Sequence, residues 1–139
     1  MNSLPSPEQF PEQNQVLAET IKSQIKNRFG KLFDPQTEEI KEIPYKEINL
    51  RYHCGEIAEL TAKTVGGKIE EHQAKGNNPS ISYLEEDGEE TEIASGFTIA
   101  SHRYVVDENG MVWDPITNNW GNLTEDEYLQ RLISNHPKP

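Results

Sequence analysis

The chain has 139 residues, 33% of them hydrophobic, and its 24 acidic against 13 basic side chains give a formal charge of -11. That length suits one domain with a modest core. The acidic excess excludes nucleic acid and membrane surfaces as natural partners, because both attract clustered basic side chains.

A single cysteine excludes an intramolecular disulfide framework and paired-cysteine zinc clusters. No run of about 18 apolar residues spans a bilayer, and no basic segment followed by an apolar stretch opens the chain. Cytoplasmic synthesis without a signal peptide is expected.

Met1 to Gln13 holds three prolines among polar residues and reads as a disordered tail or linker, leaving residues 14–139 as the domain. From Asn14 onward Leu17, Ile21, Ile25, Phe29 and Leu32 recur at helical spacing, which predicts an amphipathic scaffold helix ending near Gly30. Asp34 to Asn49, bounded by Pro35 and Pro44, reads as a loop with a short turn. The next helix runs from Cys54 to Val65, with Ile57, Ala58, Thr61, Ala62 and Val65 on one face, and Gly66-Gly67 stops it.

Strand-forming segments follow at Ile81 to Leu84, Thr91 to Ile93, Phe97 to Val106 and Met111 to Trp113. Asp87-Gly88 and Asn109-Gly110 supply hairpin turns between the two pairs. Thr124 and Glu127 stand in capping-box register at the start of a last helix, expected over Thr124 to Ile133. This order predicts an α+β fold with helices segregated to one side of a small antiparallel sheet.

Three residues carry the chemistry: Cys54 opening a helix, His102 inside an apolar strand and Asp114 closing the next strand. A thiol attacks as its thiolate, and a helix N-terminus beside an imidazolium brings a cysteine pKa down to about 3.5 to 7.5. Gly55 leaves the sulfur uncrowded, and a backbone N–H of this turn can hold an oxyanion.

The hairpin register decides whether His102 and Asp114 meet. A two-residue loop at Asn109-Gly110 pairs position 105 with 114 and puts the two on opposite faces. A three-residue loop of Glu108, Asn109 and Gly110, with Gly110 left-handed, pairs 104 with 114. His102 and Asp114 are then diagonal neighbours on one face, and the triad requires this register.

Other residues read more plainly. His53, His72 and His136 are expected on the surface or in loops, Trp113 and Trp120 as sheet packing, and Glu85 to Glu92 as a solvated hairpin tip. Dispersed histidines around one thiol give no metal site, and no cofactor is implied.

The segments His53-Cys54-Gly55-Glu56, Ser101-His102-Arg103-Tyr104-Val105-Val106 and Gly110-Met111-Val112-Trp113-Asp114-Pro115 resemble the papain-like superfamily. Within it the likeness is to transglutaminase-like proteins and to papain-fold toxin domains of bacterial polymorphic toxins. It covers roughly residues 50 to 120.

The resemblance implies a cysteine hydrolase or acyltransferase with catalytic Cys54, His102 and Asp114, acting on a protein substrate as peptidase, glutamine deamidase or transglutaminase. It further implies an effector delivered to a target cell, with a cognate immunity protein as partner. The alternative is a catalytically silent domain of the same fold that binds a basic protein through its acidic surface. One position departs from the pattern: Ile48 stands where papain places an oxyanion-donating glutamine six residues before its cysteine, with Asn49 as a neighbouring substitute.

Overall fold

The computed structural model describes residues 12–51 and 53–135. The first helix, α1, spans Glu12–Phe29, so of the expected tail only Glu12 and Gln13 are described, and both lie in that helix; the rest lies outside the described residues. Of its expected apolar face Ile21 and Ile25 are buried and Leu17 and Phe29 pack partly buried against the same core, which Ala18 joins. Leu32 does not belong to it. That residue sits 60% exposed in β1 (Lys31–Asp34), which pairs with β2 (Glu39–Glu42) in a small antiparallel hairpin.

The loop expected over Asp34 to Asn49 is therefore corrected to a hairpin followed by a 3-10 turn at Tyr45–Glu47. The hairpin escapes an apolar-pattern search because nearly all its side chains are exposed, and it is held by its backbone ladder.

Helix α2 spans Cys54–Val65, with Gly66 at its C-cap. After it come β3 (Lys68–Lys75), β4 (Ser80–Leu84), β5 (Glu90–Ser95), β6 (Ile99–Val106) and β7 (Met111–Asp114). A 3-10 turn at Pro115–Thr117 leads into β8 (Asn119–Thr124), and α3 (Glu125–Gln130) into β9 (Leu132–Asn135). One sheet has the order β3-β6-β7-β8 and a second the order β5-β4-β9, all neighbours antiparallel.

Besides β1 and β2, three strands have no counterpart in the sequence reading: β3, β8 and β9. In β3, Lys-Ile-Glu-Glu-His-Gln-Ala-Lys is polar because the strand lies at a sheet edge, where charged side chains blunt further pairing. The last helix is shorter than expected, and Leu132 and Ile133 pair with β4 instead. Its N-terminus is as read: Thr124 Oγ1 accepts from Glu127 N at 3.2 Å, and Glu127 Oε1 accepts from Thr124 N at 3.0 Å.

The α+β class holds, but the helices are not confined to one side. Alternation along β6 and β7 divides the core in two. Val105 and Trp113 face α1 and α2, together with Ile21, Ile25, Ile57 and Trp120. Tyr104 and Val112 face the other way, toward Ile81, Tyr83, Ile93 and Tyr128 of α3. The second sheet supplies apolar cover there, and the short α3 closes its margin. Among the described residues no helix is long and apolar enough to cross a membrane.

Candidate active site

The β6–β7 turn sets the geometry. Val105 pairs with Trp113 and Val106 with Val112, so continuing the ladder puts Tyr104 opposite Asp114. Glu108, Asn109 and Gly110 form the loop, with Gly110 left-handed at φ 79° and its N–H donating to Asp107 O at 3.0 Å. This is the three-residue register. His102 and Asp114 share a face, and His102 Nε2 lies 2.8 Å from Asp114 Oδ2, with both side chains fully buried.

Asp114 is saturated with donors. Its Oδ2 also accepts from Tyr128 Oη at 2.5 Å and Thr117 Oγ1 at 2.8 Å, while Oδ1 accepts from Ile116 N at 3.1 Å. Burial by itself raises a carboxyl pKa. Here the charge of His102 and the bonds from His102, Tyr128 and Thr117 outweigh it and hold Asp114 below the usual range. The buried carboxylate is stabilised because His102, Tyr128, Thr117 and the Ile116 N–H all donate to it.

The same pairing acts on the ring. Burial disfavours the imidazolium, but the charge and hydrogen bond of Asp114, with the thiol, push His102 up to about 9. Because Nε2 is committed to Asp114, the thiol is left Nδ1, a buried atom that no protein group meets at full hydrogen-bond geometry.

Cys54 is partly exposed at the first residue of α2. Its pKa is lowered, first by hydrogen bonding to His102 and then, against the cost of burial, by the Arg103 backbone and the charges of His102 and Arg103. Ring and sulfur thus meet in a loose pair. Such a pair can tighten when substrate binds.

Local packing fixes where α2 begins. Phe29 stacks on His53 with centroids 4.3 Å apart, and Arg28 Nε donates to Glu56 Oε2 at 2.9 Å, tying the end of α1 to the first turn of α2. His53 is the N-cap but makes no side-chain cap bond, so the first backbone N–H groups of α2 are not claimed by it.

Two residues complete the hydrogen-bonded surroundings of Asp114 and were not legible in advance. Tyr128 arrives from α3, and Thr117 from the turn that Asp114 itself caps; Asp114-Pro115, with proline at the first position of the turn, is the one local signal for that cap. His72 departs from expectation as well. Expected on the surface, it is half-buried on β3 directly opposite His102, and its pKa is lowered by burial and then by the charge of that ring. Its Nε2 lies 3.2 Å from Ser134 Oγ.

The remaining candidates fall elsewhere. Asn49 Oδ1 accepts from Arg51 N at 3.2 Å in a local turn, and Ile48 packs against the first core. Trp113 and Trp120 are buried opposite one another on β7 and β8. His136 lies outside the described residues. The Asp87-Gly88 tip is exposed, and among the described residues no group of three or more His, Cys, Asp or Glu side chains could hold a metal.

A cleft of about 640 Å³ is lined by Lys22, Tyr83, Thr117, Asn119, Trp120 and Arg131 among others, and Cys54 is not part of its lining. Comparison of the chain with protein-family models, with curated proteins and with solved structures finds no match.

Proposed function

We propose that the chain is a cysteine-dependent acyl-transfer enzyme of papain-like type, with Cys54 as nucleophile, His102 as proton carrier and Asp114 as the group that orients and charges His102. One observation carries this reading: a fully buried imidazole has one nitrogen clamped by a carboxylate and the other left to a thiol whose pKa it lowers. A purely structural histidine has no reason to keep that second nitrogen unbonded.

The thiolate attacks a carbonyl carbon, and the C=O pair moves onto oxygen. Collapse of that intermediate breaks the bond to the leaving amine, which takes the proton of the imidazolium. A thioester remains. Water or an amine then attacks it, with His102 taking the proton and the thiolate leaving.

A partly exposed sulfur outside the large cleft suits an extended protein segment better than an enclosed small molecule. Attack on a peptide bond gives proteolysis. Attack on a glutamine side chain releases ammonia and gives deamidation or cross-linking. An effector acting on a target-cell protein is the setting that fits this chemistry and the sequence resemblance.

The experiment is acylation by p-nitrophenyl acetate at pH 6 followed by intact mass, with Cys54→Ser and His102→Ala as controls. One acetyl group should add to wild type far faster than to free cysteine and to neither variant. Wild-type acylation no faster than free cysteine refutes the enzyme and leaves an interaction domain.

A further inference from the structure

The first oxyanion donor follows from the helix: a backbone N–H at the start of α2. Ile48, at the position of papain's glutamine, has no polar group to donate, and Asn49 is turned into a local turn, its Oδ1 accepting from Arg51 N. Arg103 is placed where a second donor is needed.

As the residue after His102 on β6, Arg103 sends its side chain to the opposite face of the strand. The thiol lies against both residues, being lowered by the His102 ring and by the Arg103 backbone. The guanidinium is anchored at one end. Its Nε lies 3.4 Å from Glu71 Oε1, and Glu71 Oε2 accepts from Gln73 Nε2 at 2.9 Å.

The other end reaches the nucleophile's turn. A side-chain carbon built at Gly55 would lie 3.3 Å from Arg103 Nη1, and outside its own helix it would meet nothing else within 4 Å. A side chain there would press on the guanidinium, so Gly55 leaves it room beside the first turn of α2. Half of the Arg103 side chain remains exposed, so the face of the fork away from Glu71 can meet substrate.

We propose that Arg103 is a catalytic residue: its Nη1, held by Glu71 and admitted by Gly55, donates to the carbonyl oxygen of the acyl substrate as that oxygen becomes negative, opposite the backbone N–H of α2. This rests on the acyl-transfer reading. A charged, planar donor fixed at one end is suited to the role, because it is oriented before charge develops and needs little reorganisation. Attack forms the Cys54 S–C bond while the C=O pair moves to oxygen beside Arg103. Its return expels the leaving group and restores the carbonyl as a thioester.

The test compares two reagents on one thiol. Iodoacetamide reports the thiolate without forming an oxyanion; p-nitrophenyl acetate must pass through one and releases p-nitrophenolate. In Arg103→Met the acetylation rate should fall about 100-fold, while alkylation falls far less, so their ratio drops. Glu71→Gln, which frees the guanidinium without removing it, should lower the same ratio partway and decides the matter if Arg103→Met does not fold.

A ratio equal to wild type in the folded variants overturns the assignment of Arg103 and leaves the triad intact. Failure of wild type itself to be acetylated overturns the acyl-transfer reading instead.

Discussion

Replacing Asp114 by asparagine keeps the side chain's volume and removes the charge on which the pairing rests. The rise of His102 from 6.5 to about 9 corresponds to about 3 kcal/mol in favour of the imidazolium. Both groups are fully buried, so solvent does not screen it. Without the carboxylate, burial disfavours the imidazolium and only the thiol is left to oppose it, so the ring's pKa falls.

The thiol then loses its cation at neutral pH. Alkylation of Cys54 by iodoacetamide at pH 6, followed by mass spectrometry, should slow about 100-fold in Asp114→Asn, and its pH profile should move toward that of an ordinary thiol. An amide also has one oxygen fewer, which sets its NH2 against either Ile116 N–H or the three donors on Oδ2. A stability loss of about 1 to 3 kcal/mol is therefore expected alongside. A folded Asp114→Asn protein alkylated at the wild-type rate and with the wild-type pH profile would refute the electrostatic argument.

Two further outcomes follow from the same network. Tyr128→Phe removes one of three donors to Asp114 Oδ2 and should cost about 1 to 3 kcal/mol in urea unfolding, with a smaller slowing of alkylation than Asp114→Asn; equal stability would mean the bond contributes nothing. The pH dependence of stability should differ in sign between partners. His102, raised in the folded state, contributes fully below pH 6.5 and loses that contribution as pH rises through about 9. Cys54, lowered, contributes above its ordinary value and loses it as pH falls through its folded one, so the two slopes oppose each other in wild type. Cys54→Ser should unmask the His102 decline between pH 6.5 and 9 in urea titrations, and a flat or rising profile in that variant would be inconsistent with the raised histidine.

Several features were legible because short-range chemistry specifies them. The limits of α2 follow from its apolar face and Gly66-Gly67, and the capping box at Thr124 from its spacing to Glu127. Gly110, free to turn left-handed, admits the loop that puts His102 and Asp114 on one face. Polar strands defeated the same approach. β3 carries charge because it is an edge, and β1 and β2 are exposed on nearly every position, so neither shows an alternation that a pattern search can detect.

The amino-acid order alone therefore marked three chemically matched residues on a helix start and two strand positions, and narrowed the turn between two of them to two registers, of which the folded hairpin adopts the three-residue one. The rest belongs to contacts between segments distant along the chain. Tyr128 reaches Asp114 because α3 folds onto the second core, His72 faces His102 because β3 pairs with β6 instead of β4, and Arg103 lies over Gly55 because α2 packs against β6. Local signals act through backbone conformation over a few residues. Ionising a buried aspartate and placing a guanidinium beside a thiol require groups that only the packed chain brings together.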